Sequence, residues 1–211
     1  MKPRIRSVSL SKYAKVAHEL GIDPLRMFRQ VGLDHSCLNS HDLMVSESAF
    51  AQLLEASSAQ TGDASLGLLM GACWRLSDFG PISLLLQHQA SLSSMLQTLK
   101  EYNHLISSTV TTEVVTQGRY SIIQLHLDTE RENPGRHPTE LGITALLSMC
   151  RHQMGRDWNP ASIHFSHGSP GSLMNHRRVL GGEVVFASDF DGIVVSDEDM
   201  NRLNTDYDSL M

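Results

Sequence analysis

The sequence predicts an α+β fold, with N-terminal helices followed by a small antiparallel sheet packed against helices. Three observations carry this expectation. Apolar residues recur at helical spacing through about residue 75. A β-branched stretch, STVTTEVVTQ, then meets a glycine turn at Gln117-Gly118 and the alternating run RYSIIQLHLD. Beyond that hairpin, short strand-like segments alternate with helices.

The helices come first. Leu10, Tyr13, Ala14, Ala17 and Leu20 share one helical face, and Gly21 ends that helix. Asp23 is placed to cap a second helix, with Pro24 at its first position. Leu25, Phe28 and Val31 follow, and Gly32 stops it. Ser46 caps a third helix carrying Phe50, Leu53 and Leu54. Gly62-Asp63 breaks the chain, and Leu66, Leu69 and Met70 make a further short helix. Residues 75–80 form a turn, and ISLLL at 82–86 fits either a buried strand or a helical turn. Ser91 to Leu105 is the strongest helix, with Leu92, Met95, Leu96, Leu99, Tyr102 and Leu105 on one face.

The second half is mixed. Ile122 faces one side of the hairpin and Ile123, Leu125 and Leu127 the other, which predicts a strand covered on both faces. Residues 129–138 form a polar loop, and Thr139 caps a central helix running to about Met154. ASIHFSH is a strand with Ile163 and Phe165 inward. SPGSLMNHRRVLGG is a short helix closed by two glycines. EVVFASD and GIVVSD are two more strands, and Asp197 caps a last helical turn.

Composition bounds the function. The 211 residues are 41% hydrophobic and 19% charged, enough apolar side chain for a real core. A net charge of −6 opposes duplex DNA, which selects basic faces. Cys37, Cys73 and Cys150 are far apart and form no CxxC pair, so a reducing cytoplasm is expected. No signal peptide and no run of 18 apolar residues is present, so no membrane partner is expected.

The chemical motifs are sparse. Asp78-Phe79-Gly80 matches the metal-binding turn of protein kinases, but the accompanying kinase motifs are missing, so a packed structural turn is expected. His164 and His167 lie three apart on a strand and diverge, so no metal is expected there, and His167 is read as fixing the following turn. SKYAKVAHELGIDPLRMFRQVGL has a helix-turn-helix outline, yet its second helix offers only Arg26 and Arg29 to a phosphate backbone. It reads as a helical pair packed on the core. There is no GxSxG, P-loop or HExxH, so neither enzyme activity nor a cofactor is expected. A mainly apolar small-molecule pocket is the positive case. Its candidate liners are Trp74, Arg75, Phe79, Tyr102, His104, Glu140 and Arg151, at helix ends or beside the hairpin. Arg75 or Arg151 would meet a carboxylate ligand, and Glu140 an amine.

Three blocks in order resemble the N-terminal, arabinose-binding-like regulatory domain of AraC/XylS-type bacterial transcription regulators. They are DFGPISLLLQHQASLSSMLQTLKEYNHLI, ASIHFSHGSPGSLMNHRRVLGGEVVF and FASDFDGIVVSDEDMNRL. With the N-terminal helices they cover nearly the whole chain. Asp191 departs from the family's usual Asn, Leu180-Gly181 from its Phe-Gly, and Pro81 from a small or aliphatic residue. The resemblance implies an effector-sensing and dimerisation domain over residues 1–205, helical to about residue 75. Residues 206–211 are then the start of a linker to a C-terminal helix-turn-helix DNA-binding domain absent from this chain. The implied partners are a small-molecule effector, a second copy in a homodimer, and DNA through the absent domain only. The alternative is a stand-alone small-molecule or haem-binding sensor, with His104 as axial ligand.

Overall fold

A computed structural model describes residues 4–38, 43–62, 65–129 and 134–204. Asp63, part of the loop at 129–138 and the linker expected at 206–211 lie outside the described residues.

The chain opens with strand β1 (Arg4–Arg6), then helices α1 (Val8–Glu19) and α2 (Pro24–Gln30). Asp23 caps α2 as expected: its carboxylate accepts from the Leu25 and Arg26 N–H groups at 3.0 and 3.3 Å. Strand β2 (Met44–Ser46) pairs antiparallel with β1, a two-stranded sheet the sequence did not suggest. Helix α3 (Glu47–Thr61) follows; Ser46 stands at its cap position, but its side chain makes no cap bond. Helix α4 (Leu66–Ala72) and a 3-10 turn (Leu76–Phe79) complete the N-terminal part.

The ISLLL run is helical: α5 spans Ile82–Gln87, with Ile82 and Leu86 buried and Leu84 and Leu85 exposed. Ser91 caps α6 (Leu92–Glu101) through the Ser94 N–H at 3.2 Å. The single helix expected to Leu105 is not formed. It breaks at Tyr102, and α7 (Asn103–Ile106) is a separate turn that leaves Tyr102 and Leu105 exposed. Local polar side chains cause the break. Asn103 Nδ2 donates to Val110 O at 2.8 Å, and Ser107 Oγ accepts from the Thr109 and Val110 N–H groups, turning the chain into the hairpin.

That hairpin is β3 (Val110–Gln117) and β4 (Tyr120–Leu127). Gly118 adopts φ +63°, which suits a two-residue turn opening on glycine. Helix α8 starts at Arg136 and ends at Met154, three residues before the expected cap at Thr139. Pro138 is tolerated because the first-turn N–H groups of a helix have no partner to lose. Thr139 instead donates its hydroxyl to Gly135 O at 3.0 Å. The last elements are β5 (Ser162–His164), α9 (Met174–Leu180), β6 (Val184–Val185), β7 (Gly192–Ser196) and α10 (Asp197–Asn201). Ser196, not Asp197, caps α10, accepting from the Asp199 N–H at 3.1 Å.

The larger sheet runs β3-β4-β7-β5-β6. All its pairs are antiparallel except β5–β6, which the crossover through α9 makes parallel. Strand β4, second in the sheet, is covered on both faces, with Ser121, Ile122 and Ile123 all buried. Two apolar cores result. The N-terminal core takes Tyr13, Met27 and Phe28 from the α1–α2 pair, and Leu53, Leu54, Leu66 and Met70 from α3 and α4. The second packs Leu92, Met95 and Leu96 against Ile143, Leu147, Ile163, Phe165 and Ile193.

Helices α4 and α8 join these cores. Gly67 and Gly71 lie one helical turn apart on α4 and face α8 with no side chain between the backbones. A Cβ at Gly67 would overlap the His137 carbonyl, and one at Gly71 would lie 2.6 Å from Thr144 Cβ. Glycine costs about 1 kcal/mol relative to alanine inside a helix. Contact across the joint offsets that cost. Gly67→Ala is therefore expected to destabilise the protein by about 3 kcal/mol in urea unfolding, because the obstacle is backbone. Gly168→Ala, where a Cβ meets nothing within 4 Å, should stay within about 0.5 kcal/mol of the parent.

Candidate functional site

The joint leaves a gap on the hairpin side of α8. It is an apolar cavity of about 160 Å³. Its floor is α8, through Leu141, Gly142, Ala145, Leu146 and Met149. Leu125 and Leu127 of β4, Leu99 and Ile106, and the aromatic residues Phe50, Trp74 and Phe79 also line it. Gly142 lets the sheet come close: a Cβ there would lie 2.6 Å from Leu125 Cδ2. Trp74 and Phe79 pack ring against ring at 5.2 Å.

The Asp-Phe-Gly turn builds this wall. Asp78 accepts from the Arg75 N–H and pairs with Lys12 Nζ, both at 2.8 Å. Gly80 takes φ +75°, and Phe79 is left against the cavity. The polar lining is small. Arg6 and Glu47 carry opposite charges, and Glu47 is only 5% exposed. Asn103 and Ser107 are already bonded within their own turn. The Trp74 indole Nε1 is buried and finds no acceptor among the described residues.

Of the seven residues expected to line a pocket, the structure brings Trp74 and Phe79 to this cavity. Arg75, Tyr102 and His104 are exposed and outside its lining. Glu140 and Arg151 sit on other faces of α8. Arg151 donates to the carbonyls of Trp158, Val179 and Leu180 and to Asn159 Oδ1. Its guanidinium thus closes the C-terminal end of α9, where a cation is electrostatically favoured. The sequence reading missed Arg6, Glu47 and Phe50, because nothing local says that the first fifty residues fold against the hairpin. Gly142 within a strong helix was the one available signal of close packing.

Glu140 is fully buried and ringed by cations and imidazoles. His176 Nε2 lies 2.7 Å and Arg136 Nε 2.9 Å from Oε1. His167 Nε2 approaches Oε1 at 3.8 Å, and His137 Nδ1 approaches Oε2 at 3.9 Å. Burial alone would raise its pKa. The His176 hydrogen bond and the Arg136 charge outweigh it and hold the carboxyl below its ordinary range. His164 is spent elsewhere, between Ser162 and Ser188. His167 Nδ1 contacts Gly168 O at 2.9 Å, beside the turn it was expected to fix. Among the described residues no group of His, Cys, Asp or Glu is arranged to hold a metal ion. None of the described helices is long and apolar enough to cross a membrane.

The sequence profile described as "Arabinose-binding domain of AraC transcription regulator, N-term" matches residues 21–204. The chain therefore belongs to this family of transcription-regulator domains, which are not enzymes. Among its relatives is the HTH-type transcriptional regulator VirS of Mycobacterium tuberculosis, known from two strains. It is 26% identical over 195 residues, covering 90% of this chain and 57% of VirS. The chain thus spans little more than half the length of the curated relatives it matches. The crystal structure of the transcriptional regulator CdpR from Pseudomonas aeruginosa shares the fold. Its TM-score is 0.55 at 17% identity, over 75% of this chain and 51% of CdpR.

The Glu140 cluster makes a pH-dependent prediction. Glu140→Gln should lower stability by about 3 kcal/mol at neutral pH, as for breaking a buried ion pair. A depressed carboxylate stabilises the fold above its unfolded value and stops doing so as pH falls through the folded one. The gap between parent and variant in urea unfolding should therefore narrow below about pH 4.5, the ordinary glutamate value.

Proposed function

We propose that residues 1–205 are the effector-sensing and dimerisation domain of an AraC-type regulator. Its effector occupies the cavity walled by α8, the hairpin, Trp74 and Phe79. The full-length protein acts on transcription through a C-terminal helix-turn-helix domain, and this domain does not itself read DNA. The observation that carries the reading is the cavity itself: one apolar space bounded by both halves of the domain. Family membership and the similarity to the transcriptional regulator VirS support the transcriptional role.

The proposed mechanism is a population shift: an effector that binds one conformer more tightly favours it. Helix α8 is the element placed to report the event. Pro138 and the five floor residues of α8 line the cavity, and its Met154 carbonyl accepts from Arg202 Nη2 at 2.6 Å. The next described residue but one, Asn204, donates its N–H to Ala90 O at 2.8 Å. Residues 202–204, which lead into the proposed linker, are thus tied to the far end of the helix that walls the proposed effector site. The haem reading has no such support, since His104 is exposed and outside the lining of a cavity far smaller than a porphyrin.

Ala145→Leu tests the reading by filling the cavity from its floor. Filling an apolar void typically raises stability by about 0.5–2 kcal/mol. In the full-length regulator the variant should fold normally, keep operator binding and lose its transcriptional response to effector in a promoter-reporter assay. A response equal to the parent's would place the effector elsewhere.

A further inference from the structure

Resting on the reading of this cavity as the effector site, its size and wall chemistry narrow the ligand. We infer that it takes an uncharged, flat, mainly apolar molecule of one ring with a single hydrogen-bond acceptor, and not a pentose.

An apolar cavity of about 150 Å³ lined by Leu, Ile and Phe holds one benzene ring and otherwise stays dry. The cavity here is about 160 Å³, so a ring with a short substituent fills it. Lining chemistry agrees, because Phe50 and the tilted Trp74–Phe79 pair line the cavity together with aliphatic residues of α8.

Hydrogen-bonding capacity decides between apolar and polar ligands. A pentose brings hydroxyls that each need a partner once out of water. The polar side chains at the 103–110 turn are spent on their own backbone, and the hydroxyls of Ser9, Thr112 and Thr129 are the other neutral polar groups of a mainly apolar lining. The Trp74 indole N–H is the buried donor left without an acceptor, so one carbonyl or ether oxygen on the ligand would complete it. Charge excludes ions: Arg6 and Glu47 cancel, leaving no net charge to offset an ionised ligand.

Isothermal titration of the 211-residue protein tests this with four probes: acetophenone, ethylbenzene, benzoate and L-arabinose. Acetophenone should bind about fivefold more tightly than ethylbenzene, the worth of one net hydrogen bond. Benzoate and L-arabinose should show no saturable binding at concentrations that saturate acetophenone. Trp74→Phe keeps the ring and removes the donor, so it should erase the difference between acetophenone and ethylbenzene while ethylbenzene still binds. Ala145→Leu should abolish both. Binding of arabinose or benzoate that Ala145→Leu abolishes would keep the effector site and overturn the ligand class. An acetophenone preference that survives Trp74→Phe would overturn the role of the indole. If none of the four binds, the ligand class is overturned; the site itself then stands or falls on the reporter response of Ala145→Leu.

Discussion

The backbone contact between α4 and α8 governs how the two cores and the cavity are arranged. Gly67 and Gly71 remove two side chains from α4 where it meets α8, and the helices approach until carbonyl and Cα nearly touch. Each helix then serves both cores. Leu66 and Met70 of α4 enter the N-terminal core while Leu68 enters the second. Leu141 of α8 packs against the first core, and Ile143, Leu146 and Leu147 belong to the second. With that spacing fixed, Trp74 and the Asp-Phe-Gly turn, which directly follow α4, have one place to go: across the α8 face that becomes the cavity floor.

Helix α8 consequently has differently employed faces. One is apolar and incompletely filled, and it borders the cavity. Another holds Glu140 against His176, His167 and Arg136, tying the start of α8 to α9 and to the segment after β5. Toward its end, Arg151 binds the last carbonyls of α9. The hydrogen bonds and ion pairs of the polar faces fix the helix, although Glu140 Oε2, His167 Nε2 and His176 Nδ1 are buried without a hydrogen-bond partner among the described residues, while the apolar face is the one with room. Cys150, on the packed side, is fully buried and its thiol is pushed up to about 12, so it takes no part in thiol chemistry at neutral pH.

Elements governed by local physics were legible in the sequence. The Asp23 cap, the Ser91 cap and the left-handed glycines at Gly21, Gly32 and Gly118 fall where side-chain oxygens and φ demand them. The misplacements share one cause, competition between local signals. Tyr102 and Leu105 continue the period of α6, yet Asn103 and Ser107 divert the backbone first. Thr139 has cap chemistry, yet the helix had already begun at Arg136. Within the site, Trp74 and Phe79 were legible because bulky aromatics beside a tight turn must bury somewhere. Glu140 and Arg151 carry equally suggestive chemistry, and only the tertiary fold shows their charges satisfied by other parts of the chain. Arg6 and Glu47 gave no signal, since their role arises from contact between segments far apart in sequence.

In the proposed mechanism, the apolar cavity on α8 communicates with the segment at Arg202–Asn204. Methyl NMR on methionine-labelled protein under xenon pressure tests it directly, because xenon enters dry apolar cavities without needing a chosen ligand. Met149 lines the cavity, Met154 and Met200 lie toward the exit, and Met27 sits in the remote N-terminal core. Met149 should shift most, Met154 and Met200 should follow, and Met27 should stay in place. An unmoved Met149, or a shift confined to it, would rule out coupling between the cavity and residues 202–204.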